Sequence, residues 1–129
     1  GSTRVRRIFT AIGSRPFVRL FRNTVGQAIQ GSVVAGHGRG AMLIDNPRRV
    51  NYGLCRGSSD LIGWTSRIIT ADMVGRRVAI FTAIEVKEPR RGSRLTPEQA
   101  NFIEQVQSAG GIACEARNVE SALHAVGGV

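Results

Sequence analysis

Residues 76–87, R-R-V-A-I-F-T-A-I-E-V-K, form the longest β-type run in the chain. Its centre is almost unbroken apolar sequence, and a strand of that kind belongs inside a sheet with both faces covered. Covering both faces takes helices on either side, so this stretch alone argues for a layered α/β domain with a mixed sheet. The polar end of the run is unusual. Glu85 and Lys87 stand two residues apart, and side chains at i and i+2 of a strand share one face. A carboxylate and an ammonium at the end of a buried strand are costly unless they pair or serve a metal. Taken alone, the two residues fit a strand-end ion pair and a catalytic pair equally well.

Lys87 is also the single lysine beside 17 arginines. The net charge is +9, and residues 1–44 hold seven arginines and no acid. A guanidinium is a planar fork that suits phosphate oxygens, so an excess this large on a small domain points to a polyanion partner, nucleic acid above all. A basic RNA-binding module would need a stacking platform, which seven aromatics do not supply. No apolar run approaches membrane-spanning length and no secretory signal is seen, so the expected setting is cytoplasmic. Cys55 and Cys114 have neither metal-ligand spacing nor a disulfide framework, and they read as buried free thiols. His37, in a glycine-rich loop, and His124, on the terminal helix, read as neither ligands nor bases. At 129 residues the chain has the length of one domain, with Gly1-Ser2 resembling a cloning scar.

Local patterns place the remaining elements. Val5, Ile8, Phe9 and Ile12 recur at helical spacing until Gly13. F-V-R-L-F-R-N at 17–23 reads as a strand, and residues 25–35 as a second. G-H-G-R-G at 36–40 and D-N-P-R-R at 45–49 predict a flexible basic loop over 36–49, with a strand returning near Val50–Leu54. G-S-S-D-L-I-G-W-T is a small-residue turn opening into a strand, with Asp60 at the junction. Thr96-Pro97-Glu98-Gln99 is a helix start, with Thr as N-cap, Pro at the first position and Gln three residues on. Phe102, Ile103, Val106 and Ala109 supply that helix's apolar face, and Gly110-Gly111 end it. Residues 112–116 form a short strand, and Asn118 caps a last helix over about 119–126. The predicted order is α-β-β-β-β-α-β-α.

Asp60 sharpens the reading of Glu85 and Lys87. On its own it is a common turn aspartate. If its strand neighbours that of Glu85, the two carboxylates converge, and hard oxygen ligands of this kind suit Mg²⁺ or Mn²⁺. A compact ammonium beside them can steady a phosphate or lower a water's pKa, which a permanently charged and bulkier guanidinium cannot do in the same space.

Asp60 followed by Glu85-Val86-Lys87 resembles the D…(D/E)-x-K core of the PD-(D/E)xK nuclease superfamily. R-N-T-V-G at 22–26, G-S-S-D-L-I-G at 57–63, A-I-E-V-K at 83–87, L-T-P-E-Q at 95–99 and A-G-G-I-A at 109–113 occur in order. Together they are similar to the virus-type replication-repair nuclease (VRR-NUC) domain in its small stand-alone form, found in phages and prophages. The resemblance runs from about residue 15 to the end. It implies a restriction-endonuclease-like core, a mixed central sheet flanked by helices. It also implies a homodimeric, metal-dependent phosphodiesterase acting on branched DNA such as Holliday junctions, without a small-molecule cofactor. Asp60, Glu85 and the Val86 carbonyl would hold Mg²⁺ or Mn²⁺, and Lys87 would orient or activate the attacking water. Gln99 matches the family's helix glutamine beside the site, a role that competes with its place in the capping box. Arg22, Arg56, Arg90, Arg91 and Arg94 are the candidate DNA contacts. The family's first-helix glutamate has no counterpart here, because no acid precedes Asp45. That departure keeps a second function in view, a nuclease fold that binds DNA with little or no cleavage.

Overall fold

A computed structural model describes residues 3–38, 40–88, 90 and 93–127. Its elements run α1 (Thr3–Gly13), β1 (Val18–Arg22), β2 (Gly26–His37), β3 (Ala41–Tyr52) and β4 (Leu61–Thr65), then a 3₁₀ turn (Ala71–Met73). They continue through β5 (Thr82–Val86), α2 (Pro97–Ser108), β6 (Ile112–Ala116) and α3 (Val119–Ala125). The class is α/β, with five strands before α2. Among the described residues the strands form three two-stranded sheets, β1–β4, β2–β3 and β5–β6, in place of one continuous sheet. They group into two compact units, Gly1–Ser14 with Leu20–Gly63, and Arg15–Arg19 with Trp64–Val129.

In the first unit the predicted flexible loop is replaced by a long hairpin. Antiparallel β2 and β3 pair from Gly26↔Tyr52 to His37↔Ala41, and the D-N-P-R-R segment lies inside β3. The turn chemistry read there serves a bulge instead of a break. Pairing jumps from Gln30↔Arg48 to Ser32↔Asp45, so Asn46 and Pro47 together oppose Gly31. Asn46 takes a positive φ of 51°, which its short polar side chain tolerates. A Cβ on residue 31 would fall 2.6 Å from the Asp45 carbonyl oxygen, so glycine is required opposite the bulge.

In the second unit β5 and β6 run parallel, in register from Thr82↔Ile112 to Val86↔Ala116. The long strand expected over 76–87 shrinks to five residues because its ladder can be no longer than β6. Beyond that ladder Val78 and Ile80 are exposed, and within it Val86 is 75% exposed, so β5 is covered on one face only. On that covered side Val106 of α2 is 1% exposed and Ala113 of β6 is buried, while Ala116, the register partner of Val86, is buried on the opposite face of β6. Trp64 adds an aromatic cluster, 4.8 Å from Phe81 and 6.5 Å from Phe102 between ring centroids. Cys114 is half-buried and Cys55 is exposed; both are free, so the expected burial fails at Cys55.

The ends of α2 follow their local chemistry. Thr96 Oγ1 accepts from the Gln99 N–H and Gln99 Oε1 accepts from the Thr96 N–H, completing the capping box with Pro97 in the first turn. At the other end Gly110 N–H donates to Gln107 O and Gly111 N–H to Val106 O, with Gly110 at φ +96°. That pattern is a Schellman motif, and it turns the chain directly into β6. Asn118 caps α3 by accepting from the Ser121 N–H.

A Cβ on Gly111 would sit 2.7 Å from Val106 Cγ1 and 2.9 Å from Phe81 O, whereas Gly13 has open space around it. Gly111→Ala should therefore destabilise the protein by about 1–3 kcal/mol in urea unfolding. Gly13→Ala serves as the control, and an unchanged midpoint for Gly111→Ala would show that the α2–β6 junction yields freely.

Candidate active site

The covered face of β5 carries the chemistry. Ala83 and Glu85 alternate with the exposed Thr82, Ile84 and Val86, and Lys87 follows on the same face. Lys87 Nζ lies 3.6 Å from Glu85 Oε1, with the two side chains 16% and 34% exposed respectively. The pair therefore sits at a rim and is not sealed in a core. Its backbone is fixed, since Lys87 N–H donates to Ala116 O at 2.9 Å.

Gln99 reaches the same carboxylate from α2, with Nε2 donating to Glu85 Oε1 at 2.8 Å. The competition expected for this side chain does not arise. An amide is an acceptor at one end and a donor at the other, so Oε1 closes the capping box while Nε2 holds Glu85. An open cleft of about 530 Å³ lies alongside, with Ala83, Phe102 and Ile103 as apolar wall and Glu85, Glu98 and Gln99 as polar groups.

A second acid–base pair flanks the first on the neighbouring strand. Glu115 is the register partner of Glu85, and side chains of directly paired residues lie on one face. Arg117 Nη2 meets Glu115 Oε1 at 2.5 Å, and the same guanidinium donates to Glu88 O and Ser93 O. Glu115 is thereby neutralised locally, and Lys87 is left to Glu85. Reasoning from sequence missed Arg117; its spacing from Glu115 repeats the E-x-K pattern of residues 85–87, which was the available signal.

Asp60 belongs to the first unit, exposed at the mouth of β4. Its carbonyl accepts from the Asn23 N–H at 2.9 Å. Among the candidate DNA contacts, Arg22 stacks over the Phe9 ring at 5.5 Å, and Arg56, Arg90 and Arg94 are exposed. Arg91 lies outside the described residues.

Among the described residues no group of three or more His, Cys, Asp or Glu side chains is gathered to hold a metal ion. Mg²⁺, however, is commonly held by one or two carboxylates together with water and substrate phosphates, not by an all-protein cage. The donors on β5 suit that mode. Gln99 Nε2 and Lys87 Nζ both approach the same oxygen of Glu85, Oε1. The Val86 carbonyl is turned away from β6, since Phe81 and Lys87 make the flanking ladder bonds and alternate residues face alternate sides. A carboxylate and a carbonyl of this kind are hard oxygen ligands for Mg²⁺ or Mn²⁺.

A carboxylate, an ammonium and a helix-borne amide thus meet at the end of a β-strand, on a basic α/β chain. The VRR-NUC domain family matches residues 39–120, more than half of the chain. The protein belongs to the VRR-NUC family of nuclease domains, and DNA is the partner that family implies. The match includes Asp60, Glu85, Lys87 and Gln99 but stops short of R-N-T-V-G at 22–26. No curated protein and no solved structure matches the chain significantly. Among the described residues no helix is long and apolar enough to cross a membrane.

The two ends of Gln99 can be tested separately. Thr96→Ala removes the N-cap and should cost about 1 kcal/mol in denaturant unfolding. Gln99→Glu keeps an acceptor for the Thr96 N–H but loses the donor to Glu85, so it should cost less stability and far more nuclease activity. Wild-type activity in Gln99→Glu would mean that Gln99 is a helix cap and nothing more.

Proposed function

We propose that this protein is a divalent-metal-dependent, structure-selective DNA endonuclease that hydrolyses phosphodiester bonds, resembling a Holliday-junction resolvase and acting as a homodimer. The observation that carries the reading is the meeting of Lys87 Nζ and Gln99 Nε2 on one oxygen of Glu85, at 3.6 and 2.8 Å. Family membership and the net charge of +9 support it.

Glu85 and the Val86 carbonyl are the proposed ligands of Mg²⁺ or Mn²⁺, and Asp60 is the second carboxylate that the family resemblance assigns. A cation held there would supply Lewis-acid chemistry to the phosphodiester and lower the pKa of a water it bound. The chain's own groups do the positioning. Gln99 holds the Glu85 carboxylate in one orientation and leaves its second oxygen for ligation. Lys87 offers a compact ammonium to the attacking water or to a non-bridging phosphate oxygen. A two-fold substrate calls for two equivalent cuts, which a C2 homodimer places symmetrically. The exposed arginines Arg56, Arg90 and Arg94 are proposed to contact the DNA backbone, making binding sensitive to salt and indifferent to base sequence.

A second reading is favoured by one specific feature. α1, T-R-V-R-R-I-F-T-A-I-G, carries no carboxylate, so the cation has one charge fewer to hold it than in the family pattern. On that reading the protein binds DNA and cleaves weakly.

Labelled four-way junction, splayed arm and linear duplex, incubated with and without metal, separate the two. We expect cleavage of the branched substrates, stronger in Mn²⁺ than in Mg²⁺ because Mn²⁺ binds N/O sites more readily and tolerates an incomplete shell. Lys87→Ala, Lys87→Arg, Glu85→Ala and Asp60→Ala should each abolish it while junction binding persists. Binding without cleavage in either metal would favour the second reading, and cleavage by Lys87→Arg at the wild-type rate would reduce Lys87 to an ion-pair partner.

A further inference from the structure

We propose that Asn23 is a positioning residue for Asp60, an inference that rests on reading Asp60 as a metal ligand. Asp60 ends a segment of small and turn-forming residues, G-L-C-R-G-S-S at 53–59, which has no helix or strand of its own. A carboxylate on such a segment needs its backbone held from elsewhere if it is to keep one geometry.

Asn23, just past the end of β1, supplies that hold through four hydrogen bonds. Its backbone N–H donates to Asp60 O at 2.9 Å. Its side-chain Nδ2 donates to Ser58 Oγ at 2.7 Å and to Ser59 O at 2.9 Å. Its Oδ1 accepts from the Leu54 N–H at 3.0 Å. These bonds tie the beginning of the segment to its end, and the last falls on Asp60 itself. Ser58 extends the network inward, its Oγ donating to Cys55 O at 2.6 Å and its N–H donating to the same carbonyl at 3.0 Å. The Ser58 hydroxyl thus spends its one proton on Cys55 and is an acceptor for Asn23.

The chemistry singles out asparagine. Two donors and one acceptor must leave a side chain of this length together. Aspartate offers no donor, serine cannot reach both ends, and glutamine carries the amide one methylene too far. Partners that orient a ligating carboxylate from outside the metal's own shell commonly set affinity by large factors. Asn23 lies outside the matched residues 39–120, within the R-N-T-V-G stretch.

The test uses the full chain with Asn23→Asp, Ser58→Ala and, as a reference, Asp60→Ala. Asn23→Asp preserves shape and the acceptor for Leu54 but sets a carboxylate against Ser59 O. Mn²⁺ is titrated into four-way-junction cleavage, and amide hydrogen exchange is followed along the chain. For Asn23→Asp we expect the Mn²⁺ needed for half-maximal cleavage to rise by about 10- to 100-fold. Much of the rate should return at saturating Mn²⁺, with unchanged junction affinity and faster exchange confined to residues 54–60. Ser58→Ala removes the hydroxyl with its bonds to Asn23 Nδ2 and to Cys55 but keeps the other three bonds of Asn23, so it should shift the requirement in the same direction by a smaller factor, and it decides the matter if Asn23→Asp does not fold. Faster exchange at 54–60 with a wild-type Mn²⁺ requirement would overturn the proposal, leaving Asn23 a loop staple only. A wild-type Mn²⁺ requirement in Asp60→Ala would instead overturn the reading of Asp60 as a ligand.

Discussion

One side-chain amide connects α2 to β5 in the second unit. Gln99 closes the capping box of α2 with its oxygen and holds Glu85 with its nitrogen. Helix starts are set by local chemistry, so the position of that nitrogen is fixed by the same bonds that begin the helix. The far end of α2 is fixed as firmly, by the Schellman turn that leads straight into β6. β6 then sets the register of β5 and with it the face on which Glu85 and Lys87 stand. The Glu85 oxygen is thereby positioned by secondary-structure capping.

Charge is sorted by the same frame. Two carboxylates on neighbouring parallel strands, Glu85 and Glu115, would repel if both were bare. Each has its own cation two residues on, and the two cations differ in kind. Arg117 uses its fork on Glu115 and two backbone carbonyls, the multi-point binding a guanidinium does well. Lys87, a compact point charge, sits beside the carboxylate assigned to catalysis. In a chain with 17 arginines, the lone lysine stands beside Glu85, and the role proposed there calls for a compact ammonium, not a fork.

What the sequence made legible was local. The Thr96-to-Gln99 box, the Gly110-Gly111 stop, the Asn118 cap and the shared face of Glu85 and Lys87 all follow from spacings of two to four residues. What was not legible depends on partners far along the chain. The 36–49 segment contains the residues of a loop, and only the pairing of β3 with β2 turns Asn46-Pro47 into a bulge opposite Gly31. β5 reads as twelve residues because its β-type run is that long, whereas its ladder stops where β6 stops. Asn23 was legible as part of R-N-T-V-G but its hold on the 53–60 segment was not, since its side-chain acceptors and donor lie 31 to 36 residues away. The double use of Gln99 was missed for a different reason: the amide was treated as one group when it is two.

The central claim is that Glu85, oriented by Gln99 beside Lys87, is a ligand of the catalytic cation. Mn²⁺ is paramagnetic, and its binding site can be located directly by NMR relaxation on uniformly ¹⁵N-labelled protein. Substoichiometric Mn²⁺ should broaden the Gln99 side-chain amide and the β5 amides around Glu85 first, and Glu85→Gln should abolish that broadening. Broadening that begins instead at carboxylates such as Glu104 or Glu120, with the Gln99 amide unaffected, would contradict the account.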